Sequence, residues 1–146
     1  MDKKIVLASG AFDLVHYGHI RFLEEAKKAG GEDAWLVVVV ARDKTVEKLK
    51  GRRPVIPEDQ RRAVVESLKP VDEAILGYGD LSFAETIRRI KPDIIAVGYD
   101  QRGIEEEVKK VVGTEGKIRV VRIGRFGLED LDSSSKIKRK IMNESK

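Results

Sequence analysis

Apolar residues in this chain fall into two arrangements: short runs, and stretches in which they recur every third or fourth position. The runs at Ile5–Ala8, Trp35–Ala41, Glu73–Leu76, Ile94–Val97 and Arg119–Ile123 have the length and branched-aliphatic content of buried strands. Between the first two, Ile20, Leu23 and Ala26 share one side of a helix whose other side carries Glu24, Glu25, Lys27 and Lys28, and Gly30-Gly31 ends it. The charged stretch from Arg42 to Gly51 reads as a short helix or an ordered loop. Pro57 opens the next helix at its first position, with Glu58 and Asp59 in the first turn where the helix dipole favours them. Val64, Val65 and Leu68 are its expected inward face, and Pro70 closes it. Ser82 and Glu85 have the spacing of a capping box before Ile87 and Ile90. Further helices are expected over Ile104–Val112 and, after a serine cap, over Ser133–Met142.

Strand and helix alternate throughout, which predicts an α/β architecture. The expectation is a single doubly wound, Rossmann-like domain over residues 1–146, with a mostly parallel five-stranded sheet and helices on both faces. Ligands of such a sheet bind outside the carboxyl ends of its strands, where the strand order reverses.

Composition narrows the chemistry. A chain of 146 residues suits one domain at about 150 residues each. With no cysteine, thiol nucleophiles, disulfide frameworks and cysteine-ligated zinc are excluded, and two histidines are too few for a polyimidazole metal site. The net charge of +4 suits small anionic substrates and nucleic acid alike. Aromatic residues, at 5%, are sparse for a single-strand stacking platform. No charged-then-apolar leader opens the chain and no run is long enough to span a bilayer, so the expected location is cytoplasmic.

Both histidines lie in one loop, directly after the first strand: Ser9-Gly10-Ala11-Phe12-Asp13-Leu14-Val15-His16-Tyr17-Gly18-His19. Gly18 lets backbone approach a ligand closely, and the helix that follows offers free amide hydrogens. Two imidazoles at a helix N-terminus form a site for charge developing on a phosphate. The same spacing also describes two incidental surface histidines, one of them a helix cap.

GAFDLVHYGH resembles the glycine-x-phenylalanine-aspartate and HxGH signatures of the nucleotidyltransferase superfamily that includes cytidylyltransferases and adenylyltransferases. Three later segments resemble the same family in the same order. They are LKGRRPVIPEDQRRAVVESLKPVDEAILG, the Gly98-Tyr99-Asp100-Gln101 turn, and Ser133-Ser134-Ser135-Lys136-Ile137. Within the superfamily, ARDKTVEKLKGRRPVIPEDQR and GYDQ look most like the archaeal FMN adenylyltransferases. Glycerol-3-phosphate cytidylyltransferases are the nearest alternative. Asp132 departs from the family pattern, where many members carry isoleucine.

The resemblance implies attack of a substrate phosphate on the α-phosphorus of ATP or CTP, with pyrophosphate leaving and FMN as the expected acceptor. It implies catalytic roles for His16, His19 and Lys50, and places Arg61 near the β- and γ-phosphates with Arg62 an exposed neighbour. Gly98 and Asp100 are expected near the ribose or base, and Ser133, Ser134 and Ser135 near the phosphates. Ala11 and Phe12 would contact nucleotide through their backbone, Tyr17 and Gly18 would complete the loop, and Phe126 would stack on a base. Lys50 reads otherwise as a solvated lysine, Asp100 as a loop aspartate, and one of the serines as a plain N-cap. Asp13 reads as turn-forming. No metal-ligating cluster is visible, so magnesium is expected to arrive with the triphosphate. A homodimer is suggested by analogy with the family, with no membrane or nucleic-acid partner. A basic nucleic-acid-binding module using the C-terminal helix is the alternative from another class. A dinucleotide oxidoreductase lacks its GxGxxG turn here.

Overall fold

The computed structural model describes residues 3–78, 83–115, 117–124 and 134–145. In chain order the elements are β1 (Ile5–Gly10), α1 (Tyr17–Ala29), β2 (Trp35–Val40), α2 (Asp43–Lys50), α3 (Glu58–Glu66) and β3 (Glu73–Leu76). They continue as α4 (Phe83–Ile90), β4 (Ile94–Gly98), α5 (Arg102–Glu115), β5 (Arg119–Ile123) and α6 (Ser134–Glu144). The five strands form one sheet in the order β3-β2-β1-β4-β5. Every pairing is parallel, so the expected mostly parallel sheet is wholly parallel. Strand order runs outward from β1 to β3, then crosses back to β4 on the other side of β1. The reversal therefore lies between β1 and β4.

Alternation along the strands divides the core in two. On β2, Leu36, Val38 and Val40 join Leu23 and Ala26 of α1 and Val65 of α3. Val37 and Val39 point the other way, to Ile87 of α4 and Val108 of α5. Leu23 is wholly buried, and sealing one such side chain contributes about 1.5–3 kcal/mol. Two aspartates set the strand starts: Asp93 accepts the amide of Ile5 at 2.8 Å, and Asp72 accepts that of Leu36 at 2.8 Å. The parallel strands thereby begin level, and their carboxyl ends emerge together on one rim.

The charged stretch after β2 takes the first of its two expected forms, a short helix. Other expectations change at this level. Pro57, at φ −60° and ψ 152°, is the cap of α3 rather than its first residue. Val64 is exposed, and the inward face of α3 is Arg61 and Val65, with Leu68 packed beyond. Arg62, expected to be exposed, is half-buried, donates to the Ala74 carbonyl at 3.2 Å and pairs with Glu66 at 3.1 Å. Ser82 of the capping box lies outside the described residues. No described helix is long and apolar enough to cross a membrane.

Candidate active site

A cavity of about 640 Å³ opens on the carboxyl rim across the β1–β4 reversal. One wall is the start of α1, with His16, Gly18 and His19. The opposite wall is one face of α2 and the residue before it: Arg42, Thr45, Val46, Leu49 and Lys50 recur at helical spacing along it. The exit of β4 closes a third side with Gly98, Asp100 and Gln101, and Ser135 reaches it from α6.

The two imidazoles meet. His16 caps α1 with extended backbone, and its ring stacks on that of His19 with centroids 3.9 Å apart. The His16 amide donates to Nδ1 of His19 at 3.2 Å. Burial, then the neighbouring His16 and Lys50, push the His19 pKa down from 6.5 to about 3. His19 is therefore neutral at physiological pH, and with Nδ1 accepting, its proton must sit on Nε2. That leaves Nε2–H as the donor His19 offers a ligand. The amides of the first turn of α1 add to it, with no acidic side chain in that turn to compete for them.

The pKa shift carries a stability consequence of definite sign. Folding lowers it, so the unfolded chain binds more protons than the folded one between the two values. The stability from neutral His19 is whole above pH 6.5 and is lost as pH falls from there towards 3. Imidazole ¹⁵N spectra should show the Nε2–H neutral tautomer of His19 unchanged from pH 8 to pH 5. Ordinary titration near pH 6.5 would contradict this arrangement of the pair.

Phe12 supports the pair from below. Its backbone takes φ +50°, and its ring lies 5.2 Å from that of His19. The ring packs so close to Gly10 that a Cβ there would come within 2.9 Å of it. Side-chain-free residue 10 is therefore what allows Phe12 to turn under His19.

Arg61 does not stand in the cavity. Its side chain is fully buried beneath it, at 0% exposure. Nε donates to Ile56 O at 2.8 Å, one terminal nitrogen to Ala11 O at 2.7 Å and the other to Asp43 Oδ1 at 2.7 Å. All three directions of the guanidinium are used in tying the β1 loop, the start of α2 and the segment before α3 together. The expectation that Arg61 stands near the β- and γ-phosphates is corrected: it is buried below the cavity and braces the β1 loop, whose Ala11 carbonyl it engages. Tyr17 is likewise corrected, being 61% exposed and outside the cavity wall.

Lys50 does line the cavity, at the end of α2. Gly51 follows at φ +78°, the left-handed conformation that stops the helix and leaves Lys50 at its tip. Ala11, Phe12, Gly98, Asp100 and Ser135 are also in the wall. Ser134 begins α6, whereas Ser133 and Phe126 lie outside the described residues.

Two contributors were not foreseen in these roles. Asp13, read as turn-forming, is buried and accepts the amides of Val55 at 2.9 Å and Ile56 at 2.9 Å and the Lys138 ammonium of α6 at 3.0 Å. Burial raises its pKa, but those donors outweigh it and hold the carboxyl below its usual range. Gln101 joins the ends of β1 and β4. The partners of Asp13 lie 42 and more residues away in sequence, and the β1 partner of Gln101 lies 92 away, so only the motif membership of each residue was available as a signal.

The cavity thus gathers hydrogen-bond donors and a lysine around an open space, with no nucleophilic thiol. One of its carboxylates, Asp13, is already committed to three donors. Such a gathering of donors suits the stabilisation of charge on phosphates. The chain belongs to the cytidylyltransferase-like family, whose model matches residues 7–140, and is a nucleotidyltransferase. It is 49% identical to the FAD synthase of Aciduliprofundum boonei over 139 residues, which cover 94% of this chain and 90% of that one. It is 51% identical to the FAD synthase of Ferroglobus placidus over 140 residues, 95% of this chain and 88% of that one. Among solved structures, the lipopolysaccharide core biosynthesis protein of Thermoplasma volcanium GSS1 superposes with a TM-score of 0.75 at 42% identity, covering 86% of this chain and all of that one.

Proposed function

We propose that this nucleotidyltransferase is an FMN adenylyltransferase, making FAD and pyrophosphate from FMN and ATP. The observation that carries the reading is the stacked His16–His19 pair at the α1 N-terminus, on the rim where β1 and β4 part. The identity to FAD synthases supports the choice of ATP and FMN.

In this reading a phosphate oxygen of FMN forms the new bond to the α-phosphorus of ATP, and the bond from that phosphorus to the bridging oxygen breaks. The electron pair leaves with pyrophosphate. FMN phosphate is ionised at neutral pH, so no residue has to remove a proton. The task is to hold two polyanions in line and to stabilise the charge that spreads over the phosphoryl oxygens. His19 donates through Nε2–H, His16 stands beside it, and the α1 amides donate along the helix axis. Lys50 neutralises charge from the facing wall, and Ser135 is placed to donate from the start of α6. Asp100, past the end of β4, is placed for the ribose side.

Among the described residues no three histidine, cysteine or carboxylate side chains gather around one point. That donor set fits a divalent cation held by phosphate oxygens and water. Magnesium bound in that way would supply further charge neutralisation at the triphosphate. The proposal takes ATP and FMN as partners, with no part for nucleic acid or membrane, a homodimer as the assembly, and the cytoplasm, where both substrates are available, as the location.

Pairing ATP or CTP with FMN or glycerol-3-phosphate, and following pyrophosphate release, tests the reading. Release is expected with ATP and FMN together. Release confined to CTP with glycerol-3-phosphate would replace it with a cytidylyltransferase.

A further inference from the structure

β1 and β4 pair only at Val6 and Leu7, opposite Ile94 and Ile95. Beyond that point Ser9 and Gly10 stay with β2, opposite Val39 and Val40. The two central strands therefore part within the sheet, at the edge of the cavity, where their backbone groups lose the ladder. A buried or half-buried peptide group without a partner is costly, and here one side chain answers for both strands. Oε1 of Gln101 accepts the Gly98 amide at 2.8 Å, and Nε2 donates to the Ser9 carbonyl at 3.0 Å, across 92 residues of sequence. Only an amide side chain has an acceptor and a donor side by side to do this.

The clip is seated tightly. A Cβ on Gly98 would lie 3.0 Å from Asp100 Oδ1 and 3.3 Å from Gln101 Oε1, so glycine at 98 is what allows the turn to fold back on itself. The Gln101 carbonyl accepts the Glu105 amide at 2.8 Å, in the first turn of α5. The residue thus has its backbone fixed by α5 and its side chain spread between two strands. On the β1 side, Ser9 leads into Gly10 and the Phe12 that underlies His19. On the β4 side, Gly98 leads into Asp100.

From this placement we infer that Gln101 is a positioning residue for the nucleotide. It sets the width of the β1–β4 crevice, and so the distance between the histidine loop and the Asp100 turn. It acts through Ser9 and Gly98 rather than on the reacting atoms. Past the clip, β1 stays joined to the segment that leads into α2, the Gly10 carbonyl accepting the Ala41 amide at 2.9 Å, so the distance left to the clip is that between the histidine loop and the Asp100 turn. Loss of the clip should therefore weaken the handling of ATP. The inference rests on ATP being the nucleotide of this site.

Two variants test it. Gln101→Met keeps the bulk and removes both hydrogen bonds. Gln101→Glu keeps the acceptor for Gly98 but sets a carboxylate oxygen against the Ser9 carbonyl. ATP affinity is measured by calorimetry, which needs no turnover, alongside the melting temperature and exchange of the Gly98 amide in the ligand-free protein. Both variants should bind ATP about tenfold or more weakly, since misplacement by about an ångström costs on that order or beyond. The loss should persist at temperatures where both variants are fully folded. Gly98 exchange should accelerate in Gln101→Met and stay slow in Gln101→Glu. Wild-type ATP affinity in both variants would overturn the inference. So would a loss of ATP affinity that disappears at temperatures where both variants are fully folded, because that is what a general structural defect produces. A wild-type protein that binds ATP but makes no FAD defeats the functional reading alone, and the affinity comparison still decides the role of Gln101.

Discussion

Replacing His16 by alanine should lower turnover by roughly 10²- to 10³-fold, the loss that follows removal of one preorganised transition-state donor. The effect belongs to kcat. His16 caps α1 and stacks on His19 at 3.9 Å, so its removal takes away one donor and frees the ring that holds the second in place. ATP affinity should change much less, since Lys50, Ser135 and the α1 amides remain to hold the triphosphate. Steady-state kinetics on a variant with an unaltered melting curve distinguish the two quantities. Unchanged turnover would remove His16 from the reaction.

The second large effect concerns stability. Arg61→Met keeps an unbranched apolar stem in place of the arginine and removes every donor. Asp43 then keeps a part-buried charge without its partner at 2.7 Å, and the carbonyls of Ala11 and Ile56 lose theirs. Breaking a buried pair from one side costs about 3–5 kcal/mol. For a chain of this size that corresponds to a fall of about 6–20 °C in melting temperature. Arg61→Lys should recover only part of the loss, because one ammonium cannot reach three acceptors in the fixed directions of a guanidinium. A melting temperature within a degree or two of wild type would show that the brace is dispensable. Activity should fall too, but through the Ala11 loop, with the loss relieved at low temperature.

Those two residues mark what could be read from the chain. The strands were legible because parallel strands covered on both faces need unbroken apolar runs, and Leu36–Val40 has no other use. The HxGH loop was legible because both histidines of the protein fall in it, directly after a strand. Arg61 was recognised as important and given the wrong surroundings. Arg61 and Val65 fall at helical spacing on α3, with Leu68 packed beyond its end, a face that buries the arginine. Placing Val64 inward instead concealed this. Buried arginines are rare enough that helical spacing alone does not announce one. Tyr17, the first residue of α1, follows the extended cap His16 and stands outside the cavity wall, largely exposed.

Asp13 and Gln101 show a different limit. Each does its work through partners brought near only by the sheet: Val55, Ile56 and Lys138 for the first, Ser9 for the second. A local pattern of residues holds no record of such distances. What the chain does show is residue chemistry at a motif position, an acid in GAFD and an amide in GYDQ. Once the strands are placed, those two side chains have the donors and acceptors that the neighbouring backbone lacks.

The central claim is that the bond made is to the α-phosphorus of ATP. Incubating the protein with FMN and ATP labelled at either the α- or the γ-phosphate tests it most directly. The α-label should appear in the flavin product and the γ-label in pyrophosphate. A γ-label carried into the flavin product, or a flavin left unlabelled by both, would contradict it.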